Sequence, residues 1–247
     1  MSQAWLKFHG ALNDFLPPAQ RGTTLHLNFD REASVKDMIE SLGIPHTEIG
    51  AIRIDDRPVD FSWRVQDGNH IDITPIAAVR NDPNLPRLRP DQPDPPRFVA
   101  DVNLGRLAKY LRMLGFDTRY TNDCDDATLA SIAAQQQRIL LTRDRTLLQR
   151  KIIDHGYFVR SDQPREQVRE IIKRYHLPSQ IKPFSRCIRC NGLLQPIAKE
   201  TIIDRLEPKT RRYYNDFLIC RNCGQIYWKG SHYQRAMALI EAFLKPG

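Results

Sequence analysis

Between Arg97 and His176 the sequence repeats one rhythm four times. A short apolar run is followed by a polar turn and then by a segment with helical spacing. "RFVAD" leads into a stretch with Leu104, Leu107, Ala108, Leu111 and Leu114 on one helical face. "FDTRY" leads through "TNDCDD" into "ATLASIAAQQQ", "RILLT" into "DRTLLQRK", and "YFVR" through "SDQPRE" into "QVREIIKRYH". Such alternation admits few folds. Strands separated by helices pair in parallel, and a parallel sheet is covered by helices on both faces, so the fold class is α/β.

In an open parallel sheet, ligands bind outside the carboxyl ends of the strands. Each of the four runs ends at or just before an acid: Asp101 after the first, Asp123, Asp125 and Asp126 after the second, Asp144 after the third, Asp162 after the fourth. Asn103, Asn122, Thr142 and Ser161 stand beside them. Any one of these acids is adequately explained as a helix cap, since Asp is a preferred N-cap residue. Four acidic turns on one rim ask for more, because gathered carboxylates repel unless a cation neutralises them. Hard oxygen ligands suit Mg2+ or Mn2+, and a metal held this way serves attack on a phosphate. Arg106, Arg143, Arg145 and Arg165 lie close by in sequence and are candidates to hold a phosphate backbone.

On either side of this region lie two units of different character. Residues 1–80 read as strand, strand, helix, strand, strand: "AWLKF" and "LHLNF" alternate apolar and polar, and "SVKDMIESLG" spaces Val35, Met38, Ile39 and Leu42 as a helix between Ser34 as cap and Gly43 as stop. "AIRID" and "HIDITPI" supply the remaining strands. This order resembles the ubiquitin-like β-grasp fold and the small sulfur carriers within it. The exposed Gly-Gly terminus on which carrier chemistry depends is missing after "HIDITPI", so a docking or stabilising module that meets a protein partner is expected. "DPNLPRLRPDQPDPPR" then places six prolines within residues 82–97, a semi-rigid spacer that sets the boundary of a linker over 81–97.

Residues 181–247 carry two C-x-x-C pairs, Cys187–Cys190 and Cys220–Cys223. Two thiolates three positions apart grip one ion from a tight knuckle, and two knuckles complete a closed tetrahedral site, which reads as structural Zn2+. Asn191-Gly192 and Gly224 tolerate the positive φ that a knuckle requires. The 29 residues between the pairs imply a β-hairpin with an enlarged tip. That tip holds Lys209, Arg211, Arg212, Tyr213 and Tyr214, either a mixture of cations and stacking rings of the kind single-stranded RNA binders use or an ordinary basic hairpin whose tyrosines pack on the ribbon. The fifth cysteine, Cys124, has no partner in sequence and reads as a small core or loop residue.

Charge leaves the same choice. The chain carries +8 overall, and residues 181–247 alone carry +7, with 12 Lys and Arg against 5 Asp and Glu, whereas residues 1–80 carry −3, with 8 against 11. A basic C-terminal part is read equally as the face of a polyanionic partner, most simply nucleic acid, or as a basic solvated surface. No stretch approaches the roughly 20 apolar residues of a membrane span. "MSQAWLKFHG" has none of the regions of a signal peptide, and the expected location is the cytoplasm.

Taken together, "FVADVNLGRLAKYLRMLGFDT", "LLTRD", the paired cysteines and "YWKGSHYQRA" resemble the Mut-seven C-terminal RNase domain family, from about Arg97 to about Arg235. Its members are similar to PIN-domain nucleases with an added zinc ribbon, and some bacterial members carry a ubiquitin-like domain in front. The resemblance implies a PIN-like domain over residues 98–180 and a zinc ribbon with a C-terminal helix over 181–247. It puts Asp101 in the place of the first PIN aspartate, Asn103 in the D-x-N position, Asp144 at the end of T-x-D, and Asp162 as a fourth acid. The second PIN acid is often a glutamate within a helix, and here only Asp123, Asp125 and Asp126 are available. His232 lies in the family's signature stretch, placed to contact a phosphate or to be held beside the ribbon.

The expected function is that of a metal-dependent endoribonuclease acting on single-stranded, transfer or ribosomal RNA, with Mg2+ or Mn2+ at the acids and Zn2+ at the cysteines. The absent helix glutamate sustains a second reading, a non-catalytic RNA- or ribosome-binding adaptor on the same scaffold. A third makes the chain a protein-interaction module led by its β-grasp part.

Overall fold

The computed structural model describes residues 1–79 and 85–245. The boundary expected at residues 80–81 lies outside the described residues. The chain divides into two compact units, residues 1–92 with 125–158, and residues 93–124 with 159–247.

In the first unit, strands β1 (Ser2–Phe8), β2 (Thr24–Phe29), β3 (Ile49–Ile54), β4 (Arg57–Val59) and β5 (Asn69–Pro75) form one sheet in the order β2-β1-β5-β3-β4. β1 and β5 are parallel and the other pairs antiparallel. The period of two decides which face is buried. In β1, Ala4, Leu6 and Phe8 turn inward while Gln3 and Lys7 are exposed. Helix α1 (Val35–Ser41) starts where Ser34 Oγ accepts the Asp37 N–H, and it buries Val35, Met38 and Ile39 against this sheet. The strand β4 adds an element that the sequence pattern did not announce. It is three residues long, contains Pro58, and sits at the sheet edge where a missing N–H is tolerated.

The same unit contains α3 (Asp126–Gln135), β8 (Ile139–Thr142), α4 (Arg145–Leu148) and β9 (Gly156–Phe158). β8 and β9 pair in parallel, Leu140 opposite Gly156 and Thr142 opposite Phe158. The helix expected over "DRTLLQRK" is one turn long. Leu147 and Leu148 are buried, but Arg150 and Lys151 are exposed and Ile152 is half in solvent, so no apolar face continues beyond Leu148.

Polar contacts weld these elements to the N-terminal sheet. His46 Nδ1 lies 2.6 Å from Glu40 Oε1 and its Nε2 lies 2.8 Å from the Ile153 carbonyl. Glu48 Oε1 accepts the Phe158 N–H at 2.8 Å, and Gln149 Nε2 donates to the Glu40 carbonyl at 2.9 Å. Arg145 donates to the Phe15 carbonyl at 2.9 Å while its guanidinium stacks over the Phe15 ring. From the proline-rich segment, Arg89 donates to the carbonyls of His46, Thr47 and Ile49. The described part of that segment, 85–97, forms no helix or strand.

In the second unit β6 (Phe98–Ala100) pairs in parallel with β7 (Thr118–Arg119). Helices α2 (Gly105–Met113) and α5 (Pro164–Tyr175) bury Leu107, Ala108, Leu111, Val168, Ile171 and Ile172, and Tyr175 meets Phe98 at 5.6 Å between ring centres. Strands β10 (Leu194–Ile197), β11 (Phe217–Cys220) and β12 (Ile226–Trp228) make an antiparallel sheet in that order. The enlarged tip between β10 and β11 contains helix α6 (Pro208–Tyr213), and Ile202, Phe217 and Ile226 form a small core beneath it. Helix α7 (Ser231–Leu244) buries Ile240 and Phe243, the latter against Tyr110 of α2. The fold is thus mixed α/β: an N-terminal sheet, parallel strands with helices, and a cysteine-bearing C-terminal sheet.

Glu48 is 4% exposed, so its loss leaves the Phe158 N–H buried without that acceptor. Glu48→Ala is expected to cost about 1–3 kcal/mol in urea unfolding. Glu32→Ala, at an exposed position, should change stability by less than about 0.5 kcal/mol.

Candidate metal centre and acidic strand ends

The cysteine centre is built by two similar knuckles. In the first, the Asn191 N–H returns to the Cys187 carbonyl at 2.9 Å, and Asn191 takes φ +69°. In the second, the Gly224 N–H returns to the Cys220 carbonyl at 3.0 Å, and Gly224 takes φ +68°. Asn and Gly occupy this left-handed region at least cost, which is why they follow the pairs. Gly192 is needed for space instead, since a Cβ there would sit 2.8 Å from the Cys220 sulfur.

The four Sγ atoms lie within 4.8 Å of one another, with Cys187–Cys223 at 3.7 Å and Cys190–Cys220 at 3.3 Å. Tetrahedral Zn–S bonds of about 2.3 Å would set sulfurs roughly 3.8 Å apart. The donor set therefore fits a soft, four-coordinate ion. Electrostatics agrees. Burial pushes the Cys190 thiol up to about 12 and raises Cys223 as well. Burial also acts to raise Cys187, but the Tyr227 hydroxyl at 3.1 Å and nearby backbone N–H groups bring it down to about 7. Thiols this close cannot all ionise without a cation among them. Among the described residues these cysteines are the one set of three or more metal-binding side chains close enough to share an ion.

What holds the first knuckle in place is Arg112 of α2. The residue is 4% exposed, and its guanidinium donates to the carbonyls of Thr118 at 2.8 Å, Arg189 at 3.0 Å and Ile188 at 3.3 Å. Burial lowers its pKa from the ordinary value. Beside it, Asn191 donates to Asp117 at 2.7 Å and accepts the Thr118 N–H at 3.0 Å. Sequence reasoning missed Arg112, although a charge at i+4 from buried Ala108 was its signal. Tyr227 was likewise passed over, its hydroxyl being assigned no role.

Three of the strand-end acids, Asp101, Asp125 and Asp144, are helix caps, whereas Gln163 and not Asp162 precedes α5 and Asp123 is exposed in the loop before α3. Asp101 follows β6, is 8% exposed, and accepts the Val102 N–H at 2.6 Å. Asp144 follows β8 and accepts the N–H and the hydroxyl of Thr146 at 2.7 and 2.6 Å. Asp125 caps α3, accepting from the Thr128 N–H and hydroxyl at 2.8 and 3.0 Å, and Asp126 opens the helix beside it, exposed. The Thr146 hydroxyl holds Asp144 below its ordinary pKa, as the Thr128 N–H does Asp125. Both carry full charge at neutral pH. Their capping is complete above the ordinary carboxylate range and is lost as pH falls through the lowered value. Thr142 is buried and its hydroxyl accepts the Asp144 N–H at 2.9 Å, while Arg143 is exposed.

The second unit gathers four of the residues singled out in the sequence. Asn103, Arg106 and Asp162 line one cleft of about 360 Å3, together with Tyr120 and Asn122. Gly105 is required at its edge, where a Cβ would lie 2.5 Å from the Tyr120 hydroxyl. Lys209, Tyr213, Tyr214 and His232 meet around a second, larger cleft of about 990 Å3 beside the C-terminal sheet. Arg211 and Arg212 are exposed on α6, with Arg212 packed 5.5 Å from the Tyr213 ring. His232 is exposed and contacts Arg235 at 3.1 Å.

Arg112→Met strands several buried carbonyls and is expected to destabilise the protein by on the order of 3 kcal/mol in urea unfolding. Metal content of the folded variant, measured by elemental analysis after dialysis against chelator, should fall below that of the parent.

No helix among the described residues is long and apolar enough to cross a membrane. Comparison with curated proteins and with solved structures found no match. Two family models do match: residues 1–80 fit the Mut7-C ubiquitin domain, and residues 96–240 fit the Mut7-C RNAse domain. The second covers more than half of the chain, and on that ground the chain belongs to the Mut7-C RNAse domain family.

Proposed function

We propose that the protein cleaves RNA phosphodiesters at the strand-end acids, with Mg2+ or Mn2+ as the catalytic ion and Zn2+ held by the four cysteines. The observation that carries this reading is the placement of Asp101 immediately after β6 and of Asp144 two residues after β8, each strand a member of a parallel pair, in a chain whose family domain is an RNase domain. Zinc is the ion of choice for a closed set of four thiolates in a structural role. A divalent ion bound by carboxylates supplies an ionised water and offsets charge on the phosphate.

The chain's own side chains do the rest. Asp101, Asp125, Asp126, Asp144 and Asp162 are the candidate hard oxygen ligands. Asn103 and Arg106, which share a cleft with Asp162, orient a phosphate group, and Thr142 and Arg143 flank Asp144 in sequence. The substrate class is RNA, drawn from single-stranded, transfer or ribosomal RNA. The N-terminal sheet serves as a site for a protein partner. A cytoplasmic location keeps the thiols reduced.

The adaptor reading retains one supporting observation. α3 contains no glutamate. Substitution separates the two readings. Since Asn caps about as well as Asp, Asp144→Asn should leave stability within about 0.5 kcal/mol of the parent. Under the nuclease reading, Mn2+ binding in calorimetric titration disappears and RNA cleavage falls about a hundredfold or more. Asp101→Asn should behave alike. Wild-type Mn2+ binding by both variants would leave the adaptor as the function.

A further inference from the structure

The cleft of about 990 Å3 has a composition that the acidic centre does not use. Trp228 of β12, Tyr213 at the end of α6 and the adjoining Tyr214 give it an aromatic lining. Trp228 is 37% exposed and Tyr213 is 67% exposed, so part of each ring is open to solvent, with Arg212 lying over Tyr213. Lys209, Lys229 and His232 also line the cleft, and Asp216 is the acid among its lining residues. Phe217 and Ile226 supply an apolar floor, continuous with the small core under the sheet.

The wall is shaped rather than incidental. Gly230 follows Trp228 closely, and a Cβ there would lie 2.8 Å from the Trp228 indole nitrogen. The Gly230 N–H bonds back to the Trp228 carbonyl at 2.9 Å, which fixes the turn from β12 into α7. Trp228 packs 6.5 Å from both Tyr214 and Phe217 between ring centres, so its orientation is set by neighbours on two elements.

We propose that this cleft binds an unpaired stretch of RNA, with a base stacked on Trp228 or Tyr213 and the adjoining phosphates held by Lys209 and Lys229. Aromatic faces beside cations suit exposed bases on a charged backbone. In a duplex the base faces are already stacked, and they cannot enter. A second copy of this chain is a poor occupant, since it carries +8 overall and presents the same basic rim. An apolar peptide leaves that rim without a counter-charge. The inference rests on RNA being the substrate class but not on the acidic centre, so the cleft selects single strands whether or not cleavage follows.

The test uses the full chain in buffer without added divalent ions, where no cleavage occurs. Fluorescence anisotropy compares a labelled 12-nucleotide single-stranded RNA with the same strand in a duplex. Single-stranded RNA is expected to bind at least about tenfold more tightly. Tyr213→Ala and Trp228→Leu should each weaken it roughly 5- to 150-fold, the range for loss of one stacked base. Lys209→Ala and Lys229→Ala should each lower the log–log salt slope by about 0.7. Because Trp228 also packs in the sheet, Tyr213→Ala decides the matter if Trp228→Leu does not fold. Equal affinity for duplex, unchanged affinity in Tyr213→Ala, competition by polyglutamate as strong as by RNA, or a dimer in light scattering that Tyr213→Ala dissolves would each overturn the proposal. Cleavage is read separately with Mn2+. Binding that persists without cleavage upholds this cleft and removes the nuclease reading, while cleavage without Tyr213-dependent binding does the reverse.

Discussion

One buried guanidinium carries much of the C-terminal architecture. Arg112 donates to carbonyls at the end of β7 and inside the first cysteine knuckle. A charge placed in that position is costly unless every donor is used, and planar Arg suits several carbonyl oxygens at once. The carbonyls gain as well, because a knuckle leaves its backbone oxygens outside any sheet or helix. Metal centre and strand–helix layer are therefore one construction. A sulfur site that depended only on its own four residues would be hinged, whereas this one is pinned by a helix that also buries Leu107 and Leu111.

The acids at the strand ends show how one side chain can satisfy two demands. A carboxylate that accepts N–H groups at a helix start is held in a fixed direction and kept ionised. Both properties are useful to a group that must present oxygen to a cation. Capping geometry therefore does not oppose the metal-holding role proposed for these acids. The Thr residues at 128 and 146 extend the effect, since each hydroxyl adds a donor beside the backbone one.

Local signals in the sequence translated faithfully into structure. The alternation Ala4-Leu6-Phe8, the Ser34 cap, the two knuckles and the strand-to-helix turns all rest on neighbours a few residues apart, so period and residue type suffice to find them. What could not be read depends on partners far along the chain. His46 looks like a loop residue until Ile153, more than a hundred positions later, offers a carbonyl. Arg112 stands on the apolar face of α2, but its charge has no visible use until the knuckle arrives. The large cleft needs β12, α6 and α7 together, and its key ring, Trp228, stood out only as part of a family signature. Proline content suggested a spacer, yet Arg89 within it is bound by three carbonyls.

The two compact units are not two stretches of chain. The backbone passes from one to the other at residues 92–93, returns at 124–125, and leaves again at 158–159. During synthesis from the N-terminus, the sheet of residues 1–79 can collapse early on its own core. The surfaces of His46, Glu48 and Glu40 then wait for Gln149, Ile153 and Phe158 to emerge. The first unit is thus completed only when nearly two-thirds of the chain has been made, after the opening strand of the second already exists. A nascent-chain intermediate with an open polar seam follows from this threading, and the order of translation becomes part of how the molecule is assembled.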